Sequence, residues 1–403
     1  MNKTFGSTCM IAGTAIGAGM IALPMTLAKL GTIATLGLIS VTWMIVYYSA
    51  LLGTELTIRR GESLTLSEIA RRISGRGAEM IAIGCIMTLS YALLAAYLYG
   101  GSSITHTLFK VTVEQEVPLP LILKMAAALL CLFLTLGIKW IDYINRLLFF
   151  TLIGLLIGTI GGLGVDLEIK TLPSMTTTLV EMKTWTVAIP VIFTSFGFQM
   201  MIPAISGYLN RDAIQIRRAF FWGSLIPVVV YLTWTMTTLG TLTTKAPALF
   251  DEIIATNVEV GDFVQMVSKA ASWSHLQLLV WGVSFFAIVT SALGVALGLV
   301  DIWQKLLPGS TYRCWQRLGA ALITVAPPFA IALLTPGAFI KALGFAGMIL
   351  VIIAIILPTY LIFKDRTCVE ATCYRICQSP FIRWLGATFA LGLIICELYN
   401  MLG

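Results

Sequence analysis

The residues best placed to do chemistry in this chain are glycines, and the chemistry is that of the main chain. Gly13-Thr14-Ala15-Ile16-Gly17-Ala18-Gly19-Met20-Ile21-Ala22-Leu23-Pro24 lies inside the first apolar segment. Gly13, Gly17 and Gly19 each weaken an interior helical turn by about 1 kcal/mol relative to alanine, and Pro24 removes a donor. A helix interrupted here frees N–H groups at one half-helix end and carbonyls at the other. Those ends are the positive and negative poles of helix dipoles, so they attract anions and cations without any charged side chain. Gly13-x-x-x-Gly17 also fits close packing of small residues between helices, the alternative for this stretch taken alone.

The motif has an echo. Thr194-Ser195-Phe196-Gly197 parallels Thr14-Ala15-Ile16-Gly17, Met200 parallels Met20, and Pro203 follows as Pro24 does, one residue out of step. The separation is 180 residues and five apolar segments. An odd number of crossings means that the two copies enter a bilayer in opposite directions. Paired interrupted helices in an inverted repeat are the sequence pointer to a binding site near mid-depth.

Other chemistries find no support. The segments hold no clustered nucleophile, metal-ligand set or paired acids, so the chain is expected not to be an enzyme. Of the eight cysteines, Cys368, Cys373 and Cys377 are closest in sequence, but they lack the C-x2-C pairing of zinc sites and a neighbouring histidine. Free thiols are expected, and no cofactor. His106 and His275, the two histidines, lie at segment ends.

The elements that must position the two glycine-rich breaks are apolar helices. The 403 residues are 58% hydrophobic and 11% charged, with mean hydropathy +0.92, against about 25% charge in a soluble domain. Eleven segments are long enough to cross a bilayer: roughly 5–28, 34–56, 79–107, 121–138, 147–165, 186–208, 217–243, 275–303, 316–334, 338–363 and 381–402. The first has Lys3 ahead of it but is too long, and too rich in glycine, for a cleaved leader. Connectors on one side collect 18 of the 26 basic residues. The bias of Lys and Arg toward the cytoplasm then places the N-terminus inside and the C-terminus in the periplasm. The net charge of +7 belongs to this topology and not to nucleic acid. Residues 61–78 read as an amphipathic helix with Leu66, Ile69, Ala70 and Ile73 on one face, expected to lie on the membrane surface. The outer connector 244–274 has helical periodicity and is expected to cap the outer mouth.

Ala12-Gly13-Thr14-Ala15-Ile16-Gly17-Ala18-Gly19-Met20 with Pro24, the Phe193–Phe198 core, and Ser291-Ala-Leu-Gly-Val-Ala-Leu-Gly-Leu-Val-Asp301 resemble the hydroxy and aromatic amino-acid permeases, tyrosine and tryptophan branch. The resemblance spans essentially the whole chain. It implies an all-α polytopic membrane protein of 11 transmembrane helices within the amino acid–polyamine–organocation superfamily. The implied fold is a five-plus-five inverted repeat (LeuT-like) with discontinuous helices one and six and one extra C-terminal helix. The units are 1–165, 186–363 and 381–402. It also implies import of an aromatic amino acid (tyrosine, phenylalanine or tryptophan) across the bacterial inner membrane by proton symport, with lipid around the protein and no nucleic acid.

On that reading, main-chain groups of Ala18, Gly19 and Met20 take the substrate carboxylate. Carbonyls near Ala15, Ile16, Thr194 and Ser195 take the ammonium. Gly17 and Gly197, at the two breaks, belong to the same substrate-binding set. Phe196, Phe198 and Gln199 face the side chain, and Tyr91 and Tyr97, six residues apart in the third segment, bring hydroxyls. Sodium-coupled relatives of the fold hold Na⁺ with a hydroxyl pair in the eighth segment, here Thr290-Ser291, and carbonyls matching Gly13 and Ile16. Na⁺ is therefore the alternative to the proton.

Overall fold

A computed structural model describes residues 3–60, 64–114, 116–136, 138–165, 172, 182–256, 258–306, 313–335, 337–365 and 380–402. The described residues form helices and no strand. In order these are α1 (Lys3–Ala15), α2 (Gly19–Leu27), α3 (Thr32–Arg60), α4 (Leu66–Ser74), α5 (Arg76–Thr112), α6 (Leu119–Thr135), α7 (Ile138–Val165), α8 (Met182–Ser195) and α9 (Ile202–Tyr208). Then follow α10 (Ala213–Lys245), α11 (Pro247–Ala255), α12 (Val260–Ala270), α13 (Ser274–Leu306), α14 (Arg313–Leu334), α15 (Ala338–Val351), α16 (Leu357–Lys364) and α17 (Pro380–Leu402).

Among the described residues nine helical spans are long and apolar enough to cross a membrane, and α1 with α2, bent by 54°, makes a tenth. α6 covers the expected fourth crossing but is only 17 residues long. The chain is therefore a polytopic helical membrane protein. Its core is a continuous apolar interior: α1 packs on α10, α2 on α8, α15 on α5 and α8, and α13 on α5 and α7.

Both glycine-rich stretches break where expected. α1 stops at Ala15 and α2 resumes at Gly19. α8 stops at Ser195, and a three-residue 3-10 turn, Gln199–Met201, leads into α9. A third irregularity carries no glycine signal. Ile352–Ile356 forms a π turn between α15 and α16, just before Pro358, whose missing N–H cannot continue the α ladder.

The two connector helices differ in their agreement with the sequence. α11 and α12 fall in the connector 244–274, and α12 packs against α5, α13 and α10. Gly261 donates its N–H to Ser103 Oγ at 3.0 Å, so that connector is seated on the bundle. The other expected helix is shorter than 61–78, beginning at Leu66 and ending before Gly75, whose φ is +84°. Its apolar face is turned into the bundle. Ile69 and Ala70 are buried against Leu56, Ala82, Leu357 and Leu361. Ser74 Oγ contacts Tyr360 OH at 2.8 Å, and Lys364 Nζ donates to the same Ser74 hydroxyl. Cys368, Cys373 and Cys377 lie outside the described residues.

A capping box starts α4. Glu68 N–H donates to Thr65 Oγ1, and Thr65 N–H donates back to Glu68 Oε2 at 2.8 Å. The Thr65 backbone and side-chain hydrogen bonds hold the Glu68 carboxyl below the usual range. Its contribution is thus present above the ordinary glutamate pKa and lost as pH falls through the lowered one. Thr65→Ala removes a cap worth about 1 kcal/mol. Amide exchange across Leu66–Ser74 is expected to accelerate about fivefold by hydrogen-exchange mass spectrometry, with α5 unchanged.

Candidate functional site

At the first break three polar partners replace lost helical bonds. Tyr231, fully buried on α10, directs its hydroxyl at Ala15 O, at 2.6 Å. The same hydroxyl is 2.6 Å from Ser195 O, the last residue of α8. One phenol therefore sits between the C-terminal carbonyls of both interrupted helices. On the other side, Ala18 N–H donates to Ser291 Oγ at 3.0 Å, while Ser291 donates to Ala287 O. Met20 N–H turns back to Gly17 O at 3.0 Å.

These bonds redistribute the roles expected for the main chain. Of the Ala18, Gly19 and Met20 amides, Ala18 and Met20 are already engaged. Among the described residues the unpaired donors of the break are the N–H groups of Gly17 and Gly19, and the unpaired acceptors include Gly13 O, Thr14 O and Ile16 O. Thr194 O accepts from Gly197 N–H, so of the two span-six carbonyls expected to take an ammonium, only Ser195 O faces the first break, through Tyr231. Thr194 Oγ1 lies 2.8 Å from both Pro190 O and Leu343 O, which ties α8 to α15.

The glycines now have a steric reason. A methyl on Gly17 would stand 2.3 Å from Ser291 Oγ, and one on Gly19 would stand 2.7 Å from the Ser195 side chain. Only bare backbone lets those serines approach. Gly13 behaves differently: a methyl there would stand 2.8 Å from the Phe149 ring of α7. It is a packing glycine.

The side chains expected around a substrate divide in the same way. Phe196 is buried edge-on against Tyr231, with ring centroids 5.2 Å apart, and Phe198 stacks on Phe220. Both hold the break together from behind. Gln199 is buried, with Nε2 3.4 Å from Ser49 Oγ and Oε1 without a partner. It lines a cavity of about 750 Å³ that opens between α3, α4, α5, α9 and α13, with Glu68 and Lys305 at its wall. Tyr97 enters the same buried layer as Tyr231, near enough to interact electrostatically.

Tyr91 is placed elsewhere. It donates to Ile323 O at 3.0 Å and accepts from Trp303 Nε1 at 2.8 Å, clamping α5 to α13 and α14. Thr290 donates back into its own helix, to Phe286 O. Tyr231 itself was missed by sequence reasoning, since nothing local marks it. So were Trp234, Thr235, Thr238 and Thr241, whose polar atoms are buried on α10 without a partner.

An unwound pair of helix ends inside a membrane bundle, with a cavity that begins at Gln199 just past the second break, is the architecture of a membrane transport protein. The chain belongs to the tryptophan/tyrosine permease family, whose model matches residues 1–397. It is 32% identical to the Tyrosine-specific transport system 1 of Haemophilus influenzae, over 91% of this chain and 89% of that one. It is 30% identical to the Glutamine transporter 2 of Aliivibrio fischeri, over 90% and 89%. It is 29% identical to the Tryptophan-specific transport protein of Pseudomonas aeruginosa, over 97% and 91%. The family and these relatives are transporters and not enzymes.

Two substitutions test the geometry. Gly17→Ala forces a clash worth about 1–3 kcal/mol, so the apparent melting temperature in detergent is expected to drop. Ser291→Ala in the same chain leaves its Cβ 3.6 Å away but strands the Ala18 N–H, so the double variant is expected to lose less than the sum of the two single variants. Tyr231→Phe removes the one hydroxyl proton shared by two buried carbonyls, and a fall in stability of about 1–3 kcal/mol is expected. Unchanged thermal unfolding of that variant would remove Tyr231 from the junction.

Proposed function

We propose that this protein imports an aromatic amino acid, tyrosine foremost, across the bacterial inner membrane by proton symport with alternating access. The observation that carries the reading is the convergence of two interrupted helices on Tyr231, with free main-chain donors on one side and free carbonyls on the other. A zwitterionic amino acid presents complementary groups. Its carboxylate takes the N–H groups of Gly17 and Gly19 at the positive pole of α2, and its ammonium takes Ile16 O and the carbonyls held by Tyr231 at the poles of α1 and α8. Gln199 Oε1, unpartnered at the cavity wall, accepts from a phenol hydroxyl or an indole N–H.

In this reading the bundle is a five-plus-five inverted repeat, residues 1–165 and 186–363, with 381–402 as an added helix. The face rich in basic connectors is cytoplasmic, so the cavity opens inward and the conformation is inward-facing. Two of the three relatives named above carry tyrosine or tryptophan in their names, which supports an aromatic substrate. For the coupling ion, the Ser291 oxygen already receives the Ala18 N–H, and the Thr290 hydroxyl is spent on its own helix. Both hydroxyls donate within their own helix and keep oxygen lone pairs, so Na⁺ at this pair stays the alternative, and the proton rests on the family resemblance.

The test is uptake of labelled tyrosine by proteoliposomes with an imposed pH gradient and no Na⁺, competed by unlabelled phenylalanine, tryptophan and glutamine. Accumulation above the equilibrium level is expected, with the aromatic amino acids competing best. No accumulation until Na⁺ is supplied would overturn proton coupling. Competition by glutamine alone would overturn the substrate class.

A further inference from the structure

We propose that Glu397 of α17 is the carboxyl that binds the coupling proton. The inference rests on the proton-symport reading above and names the group that performs it.

Three buried acids stand out among the described residues. Glu55 is paired with Arg59, and Asp365 follows the last turn of α16 at the end of its span. Glu397 differs from both. It lies within a membrane span, is 4% exposed, and among the described residues no ion pair reaches it. A carboxylate in such a place is costly to desolvate, whereas the neutral acid is not, and ionisable groups kept inside a bundle mark ion or proton paths.

Its surroundings connect it to the candidate site. A methyl on Gly344 of α15 would lie 2.6 Å from Glu397 Oε2, so the glycine admits the carboxyl directly onto that helix. The adjacent residue, Leu343, offers the carbonyl that lies 2.8 Å from Thr194 Oγ1 at the last turn of α8. A methyl on Gly347, one turn further, would lie 2.4 Å from Pro190 O of the same α8 turn. On the other side Asn400 Nδ2 is 3.5 Å from Glu397 Oε2 and donates to Thr186 O of α8 at 2.9 Å, while Thr186 Oγ1 donates back to Asn400 Oδ1. The carboxyl therefore lies at the seam of α17, α15 and α8, and α8 carries the second break.

The titratable groups facing this seam are few. Lys183 is in the first turn of α8, and Lys341 is one turn before Gly344 on α15. Both are exposed, while the π turn carries none. Cys396 and Tyr399 flank Glu397 on α17 itself. One proton taken from water on the outer side converts the carboxylate to the neutral acid, and its release to water on the inner side restores the charge. Nothing else changes covalently. The charge beside Gly344 then biases how α15 sits against the α8 break.

Glu397→Gln fixes the neutral form, and two assays on the same proteoliposomes separate coupling from binding. With a pH step of about one unit, a one-proton symporter accumulates substrate about tenfold. For Glu397→Gln this accumulation of labelled tyrosine is expected to be lost, while tyrosine–tyrosine exchange at equal pH stays within about twofold of wild type. Glu397→Asp, which keeps an acid, is expected to retain accumulation. Wild-type accumulation by Glu397→Gln overturns the assignment and leaves proton symport standing. Loss of exchange in that variant also overturns it, because the group then serves binding or folding. Absence of gradient-driven accumulation in the wild-type protein instead sinks the symport reading.

Discussion

A broken helix in an apolar interior must find partners for the backbone groups that the break releases, and the rest of this structure follows from that requirement. Each unpaired buried N–H or C=O costs about 1–3 kcal/mol, and hydrocarbon supplies no water to satisfy it. The chain meets the need with side-chain hydroxyls brought in from other helices. Tyr231 of α10 meets the ends of α1 and α8, and Ser291 of α13 meets the start of α2. The groups left over, on Gly17, Gly19, Gly13 and Ile16, are those a zwitterion complements.

That requirement also dictates where small residues stand. The Ser291 hydroxyl reaches the first break only because Gly17 carries no Cβ, and Gly19 without one lets the end of α8 at Ser195 pack against α2. Gly347 likewise lets α15 approach the Pro190 carbonyl, an acceptor available to the Thr194 hydroxyl. Gly13, by contrast, only admits the Phe149 ring. Two glycines four residues apart in one motif thus serve different ends, one catalogued correctly by helix packing and the other by the break.

How much of this was legible depends on the range of the interaction. The breaks at 15–19 and 195–199 could be read from glycine and proline spacing, because weak helix propensity is a local property. The spans could be read from hydropathy for the same reason. Tyr231 could not. It sits in an unremarkable apolar helix, and its partners are 216 and 36 residues away. Tyr91 could not be placed for the converse reason: it lies six residues before Tyr97 in the same segment, yet Trp303 and Ile323 claim its hydroxyl. Phe196 and Phe198 lie in the right segment but turn toward Tyr231 and Phe220, since a short unwound stretch does not keep helical phase.

The same hydrogen-bond arithmetic recurs at both breaks and bears on how the protein changes state. A phenol or threonine hydroxyl has a single proton. Tyr231 faces Ala15 O and Ser195 O at equal 2.6 Å distances, and Thr194 faces Pro190 O and Leu343 O at equal 2.8 Å distances. Each hydroxyl thus has two acceptors on two different helices and can bond fully to only one. Loss of either contact leaves the hydroxyl bonded to the other acceptor, so the donor stays paired, while the carbonyl it leaves needs another partner such as water or substrate. Movement between packed helices needs two arrangements of similar energy. A hydroxyl shared between two helices is compatible with that requirement, whereas a joint with a separate donor for every acceptor would have to break a bond to move.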